Sequence, residues 1–191
     1  MQWIEWVAAA TNAVSVYLSA REKIWSWPTA IVGVSLYSVI FLRSGLYSDA
    51  GLQVVYLVLS VYGWYQWLYG GARHTRLHVS RASRRVWVVS AVAGTLFWLC
   101  LGTFTSMLPG SSLSYLDAGL TTTSLVAQWM MTRKILENWI LWILADIVYV
   151  PMFIYKNLYV TAGLYAAFLV LAIMGFVHWR RSWRADHAAR A

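Results

Sequence analysis

The sequence is poor in charge, in acid and in cysteine. Asp, Glu, Lys and Arg make up 12% of its 191 residues, and 60% fall in the set AVILMFWYC. Soluble domains usually carry about 25% charge and about 45–50% apolar residues, so the balance excludes a soluble enzyme. The single cysteine, Cys100, cannot form an internal disulfide and, inside an apolar run, reads as a small packing residue. The chain lacks HExxH, G-x-S-x-G and any phosphate loop, so no metal or cofactor is expected. The two histidines of HTRLH, His74 and His78, have metal-binding spacing, but flanking arginines and the lack of a nearby carboxylate favour a solvated basic linker. The first twenty residues have no basic leading segment and carry Glu5, so they read as a spanning helix and not as a cleavable signal.

What is present in quantity is tryptophan, 13 residues, with 12 tyrosines and a net charge of +8. Such aromatics suit two headgroup layers or a flat ligand. The basic residues cluster in gaps between apolar runs, the pattern that orients a membrane protein, and nucleic-acid binding is not expected. Seven runs reach spanning length: 3–20, 25–43, 46–69, 86–108, 115–132, 138–155 and 159–179. The polar gap at 70–85, GGARHTRLHVSRASRR, links the third and fourth. Of 15 Lys and Arg, only Arg43 and Lys156 fall on one side and the remaining 13 on the other, so the N-terminus is expected in the periplasm and the C-terminus in the cytoplasm.

The sequence also repeats. With residues 3–70 laid on 115–182, an offset of 112, about a quarter of the pairs are identical. They include Thr11/Thr123, Arg21/Arg133, Trp27/Trp139, Tyr37/Tyr149, Phe41/Phe153, Gly63/Gly175 and Trp67/Trp179, and Glu5/Asp117 is a conservative pair. Each copy holds three helices, so a further helix between them is needed to keep both copies the same way up. The expected fold is an all-α integral membrane protein of seven helices in a 3+1+3 parallel-repeat arrangement. Its parts are 1–69, a linker with the fourth helix over 70–114, and 115–191 with a short basic tail. In such folds substrate sits between the two bundles near the midplane.

Intramembrane ionisable groups are functional candidates. Glu5, Asp49 and Asp117 lie within about a turn of a helix end, where capping or interface anchoring accounts for them. Asp146 lies near the middle of its helix with no basic residue on it. Trp139, Trp142, Asp146 and Tyr149 share one face, and a carboxylate among aromatic rings suits a flat cationic ligand. The alternative is an interfacial Trp pair and a hydrogen-bonded aspartate holding helices together. The third helix carries a stripe of Asp49, Gln53, Tyr56, Ser60, Gly63 and Trp67, and Gln128 and Asn138 are further amide candidates. No second acidic residue lies near Asp146 in sequence to form a sodium site, and no buried His, Lys or Arg offers a proton relay, so no coupling to an ion gradient is expected.

The segments WIEWVAAATNAVSVYLSAREKIWSW, LYSDAGLQVVYLVLSVYGWYQW and LVAQWMMTRKILENWILWILADIVYV resemble the PnuC family of bacterial vitamin transporters, and the likeness runs from Trp3 to Trp179. The resemblance implies a 3+1+3 fold related to the SWEET sugar transporters, a homotrimer in the inner membrane, and facilitated diffusion of nicotinamide riboside followed by trapping as a phosphate. It places substrate contacts on Gln53, Gln128, Asn138, Trp139, Trp142 and Tyr149. Where nicotinamide riboside carriers often have asparagine in the sixth helix, this sequence has Asp146. Thiamine and riboflavin carriers also belong to the family. A carboxylate favours the two cations, nicotinamide riboside and thiamine, over neutral riboflavin, and leaves both cations open. A membrane-embedded enzyme or assembly factor using Asp146 and the amides is the reading from another class.

Overall fold

The computed structural model describes residues 2–45, 47–107, 114–155 and 157–188. Lys156 and Arg190 of the charge count, the expected end of the fourth span at Leu108, and the Glu5 side chain lie outside what is described. The apolar runs form seven long helices: α1 Gln2–Ala20, α2 Ser26–Arg43, α3 Tyr47–Tyr69, α4 Arg84–Ser106, α5 Ser114–Thr132, α6 Asn138–Tyr155 and α7 Tyr159–Ala188. The last helix runs nine residues past the expected end at Trp179. Hydropathy falls at Arg180, but no glycine or proline follows to stop the helix, so the expected tail is its continuation.

Among these, α2, α4, α6 and α7 are long and apolar enough to cross a membrane by composition alone. The other three are more polar for a reason the packing makes plain. Helix α1 packs on α2, α2 on α3, α3 on α5, α5 on α6, α6 on α7, and α7 returns to α1, closing a ring. Helices α1, α3 and α5 turn their amides and hydroxyls into that ring. Helix α4 packs on α5 outside it, and only 6% of its apolar window is buried. Its start is fixed by Ser83, whose Oγ accepts a hydrogen bond from the Val86 amide at 3.3 Å.

The offset of 112 recurs in the geometry. Glu22 and Lys134 both take positive φ, 54° and 49°, in the turns after α1 and α5, and Gly45 and Asn157 do so after α2 and α6, at 74° and 58°. Trp27 meets Trp67 edge-on at 5.3 Å, and Trp139 meets Trp179 edge-on at 5.5 Å. The indole of Trp67 donates to the Met131 carbonyl and that of Trp179 to the Ser19 carbonyl, each at 3.0 Å. Gly63 and Gly175 leave room for the rings of Trp27 and Trp139, where a methyl group would overlap them. Trp67 and Trp179 join the two sets at 5.7 Å.

The basic gaps converge at one end of the ring, where they are tied and not free. The Ser80 amide donates to the Lys134 carbonyl and the Leu136 amide to the Ser80 carbonyl, at 3.0 and 2.9 Å. Glu137, almost fully buried, pairs with the Arg81 guanidinium and accepts from the Ala82 amide. His78 Nδ1 faces Asp186 Oδ2 at 2.9 Å, which ties the linker to the end of α7.

Candidate substrate cavity

The ring encloses a cavity of about 320 Å³. That is the size of a small-molecule site, whose usual range begins at about 300 Å³. Helix α6 supplies Trp139, Trp142, Asp146 and Tyr149 from one face, as the heptad-like spacing requires. Helix α3 supplies Gln53, Tyr56 and Ser60 from its polar stripe, and α5 supplies Gln128 and Ser124. Of the rest of that stripe, Gly63 receives the Trp27 ring, Trp67 joins the indole cluster, and Asp49 is exposed.

Asn138 is placed differently. It is fully buried at the start of α6, where its side-chain nitrogen donates to the Ile135 carbonyl at 2.6 Å, and it does not line the cavity. Lys134, 3% exposed, is buried in the turn before α6 and does not line the cavity. Its ammonium pairs with Glu22 at 2.9 Å and lies 4.6 Å from the centre of the Trp67 ring. Burial pulls it below the ordinary lysine range, and Glu22 opposes that shift.

Asp146 is 3% exposed, lines the cavity, and makes no hydrogen bond or ion pair among the described residues. Among the described residues no Lys, Arg or His lines the cavity with it. Beside it Tyr149 stacks on Phe153 at 5.7 Å and tilts against Tyr165 at 4.8 Å. Gln53 and Gln128 also make no hydrogen bond among the described residues. The arrangement is an apolar aromatic wall, one carboxylate without a partner, and two amides able to donate and accept.

Five polar lining residues escaped the sequence reading: Asn12, Ser15, Ser19, Ser124 and Tyr165. Asn12, Ser15 and Ser19 share one face of α1 at steps of 3 and 4, a periodic signal that was there to be read, while Ser124 and Tyr165 stand apart from any such stripe. The repeat carries the missing signal, because Tyr165 stands 112 residues after Gln53 and Ser124 the same distance after Asn12. The lining pairs Tyr56/Phe168, Val16/Gln128, Ala30/Trp142 and Val34/Asp146 follow the same offset. Placement repeats, while the chemistry at each pair differs.

The family model described as nicotinamide mononucleotide transporter matches residues 2–181. The chain belongs to that family. Among curated members, the nicotinamide riboside transporter PnuC of Escherichia coli (strain K12) is 27% identical over 220 residues, covering 100% of this chain and 90% of that one. The riboflavin/roseoflavin transporter RibM of Streptomyces davaonensis is 28% identical over 191 residues, covering 96% and 87%. The crystal structure of the vitamin B3 transporter PnuC superposes with a TM-score of 0.74 at 24% identity, over 96% of this chain and 83% of that one, a likeness of fold. Membership of this transporter family accounts for a ring of apolar helices around a cavity of small-molecule size.

Proposed function

We propose that this family member carries nicotinamide riboside into the cell across the bacterial inner membrane by facilitated diffusion, with thiamine as the alternative substrate. The observation that carries the proposal is the Asp146 carboxylate, without a partner among the described residues, in an aromatic cavity that no described basic side chain lines. Sequence identity does not choose the vitamin, since relatives named for nicotinamide riboside and for riboflavin stand at 27% and 28%. The charge does. A cationic ring satisfies the carboxylate, neutral riboflavin leaves it unpaired, and a phosphate group would enter beside a carboxylate with no cation to meet it.

The proposed contacts are Asp146, Trp139, Trp142 and Tyr149 around the ring, with Gln53, Tyr56 and Gln128 for polar groups. Asn138 supports Trp139 from the start of α6. The paired turns, indoles and cavity positions at an offset of 112 support a 3+1+3 parallel repeat, divided as 1–69, 70–114 and 115–191 and related by an axis along the membrane normal. We place the basic end in the cytoplasm, and assign the exposed α4 to homotrimer contacts or lipid. A single cysteine introduced in the linker, for example Ser83→Cys in a Cys100→Ala background, is expected to react with an impermeant maleimide in inverted vesicles and not in right-side-out ones; the reverse result refutes the orientation.

Uptake into liposomes of labelled nicotinamide riboside, thiamine and riboflavin tests the function. Equilibration of a cationic vitamin, unmodified and with no sodium or proton gradient imposed, is the expected outcome. A modified product favours the membrane-enzyme reading, and an absolute need for an ion gradient refutes facilitated diffusion.

A further inference from the structure

A second cavity, of about 280 Å³, opens outside the ring as a groove between α4 and α5. Trp87, Ala91 and Trp98 line it from α4, and Arg84 continues the same face of that helix to the basic end, at steps of 3, 4 and 7. The polar groups in its walls are turned toward protein. The Trp98 indole donates to the Tyr115 carbonyl at 2.8 Å, and the Thr122 and Thr123 hydroxyls to the carbonyls of Ala118 and Gly119 at 2.7 and 2.8 Å. These three side chains therefore present carbon to the groove. From Trp87 to Trp98 is eleven residues, roughly 16 Å along the helix axis and about half of the ~30 Å hydrocarbon core. The groove has the length of an acyl chain in one leaflet.

Charge at the mouth of the groove selects the occupant. Glu22, Glu137 and Asp186, the acids at the basic end, are all engaged, with Lys134, Arg81 and His78 respectively. Arg84 and Arg85 are exposed and make no hydrogen bond or ion pair among the described residues. A second copy of the chain has no free carboxylate among these to offer them, whereas a phosphate at the bilayer surface meets a guanidinium with two hydrogen bonds. We propose that the groove holds one anionic phospholipid of the leaflet at the basic end, an acyl chain along Trp87–Trp98 and the phosphate on Arg84. The inference rests on the membrane reading above and not on the choice of vitamin, since the site lies outside the ring.

Native mass spectrometry of the purified full-length protein, stripped of lipid in detergent and titrated with phosphatidylglycerol or with phosphatidylcholine of the same chains, tests it. Wild-type protein is expected to take up one phosphatidylglycerol per chain at a several-fold lower concentration than phosphatidylcholine. Arg84→Gln is expected to abolish that preference and keep a weak site for both lipids. Ala91→Trp, at an exposed position where a large ring fills the groove, is expected to lose the site for both. Arg181→Gln, an exposed arginine on α7, is expected to behave as wild type. Equal uptake of the two lipids by wild-type protein leaves only unselective lipid and overturns the inference, as does an Arg84→Gln protein that keeps the preference. Wild-type oligomers that carry no lipid and dissociate on Ala91→Trp place a second copy in the groove and overturn it as well. Should Ala91→Trp fail to fold, the comparison of Arg84→Gln with wild type decides.

Discussion

Asp146→Asn is expected to lower affinity for a cationic vitamin about tenfold to a hundredfold, since a charge-assisted contact contributes roughly 1.5–3 kcal/mol. The substitution keeps the shape of the side chain and removes its charge. Asp146 meets no lysine, arginine or histidine among the described residues, so nothing else loses a counter-ion when the carboxylate goes. Affinity for an uncharged analogue such as the reduced riboside is expected to change far less. Titration of both ligands into both proteins gives the comparison. Unchanged affinity for every cationic candidate, with a fall in protein yield or thermal stability, would make the aspartate a structural group and leave recognition to the aromatics and amides.

The second large effect concerns stability. Lys134→Met is expected to destabilise the protein by about 3 kcal/mol or more, because removing one partner of a buried ion pair leaves the other charge uncompensated. Glu22 is 17% exposed at its side chain and Lys134 3%, so solvent does little to compensate. His178, 4.0 Å from the other Glu22 oxygen, offers a weaker substitute and only when protonated. The lost contact of the ammonium with the Trp67 ring adds to the effect. The exchanged pair, Glu22→Lys with Lys134→Glu, is expected to recover much of the stability that either single charge reversal loses. Thermal unfolding in detergent measures all of these. A Lys134→Met protein that melts with wild type would show that water reaches Glu22 and that the pair contributes little.

The helices were legible because their apolar runs are long, and because turns such as those at Glu22 and Lys134 interrupt them with charge. Asp146 and the α6 face were legible because a carboxylate in the middle of such a run is expensive anywhere else. Asn138 was harder. An amide at the first residue of a helix fits ligand contact and backbone contact equally well in sequence; in the structure its nitrogen donates to the Ile135 carbonyl and its oxygen has no partner among the described residues. The burial of Lys134 left no sign in the sequence, because a basic residue in a turn normally stays in water. Its burial depends on Glu22 and Trp67, both far away in the chain. The end of α7 was missed because hydropathy measures where the bilayer stops, while a helix ends only where its backbone is broken or its side chains cap it.

The Glu22–Lys134 pair bears on ancestry. In the proposed 3+1+3 repeat the two residues occupy the same place in the two halves, 112 positions apart, and they touch. A position that touches its own counterpart can keep one residue in both copies when that residue is tryptophan, as at Trp67 and Trp179. It cannot do so with a buried charge, because two identical three-helix chains associating as separate molecules would bring glutamate against glutamate or lysine against lysine. Opposite charges there require two non-identical copies, and a single gene holding both fixes each in its place. The halves are therefore no longer interchangeable: a chimera built from the first half twice would bury two carboxylates where the present chain has a salt bridge.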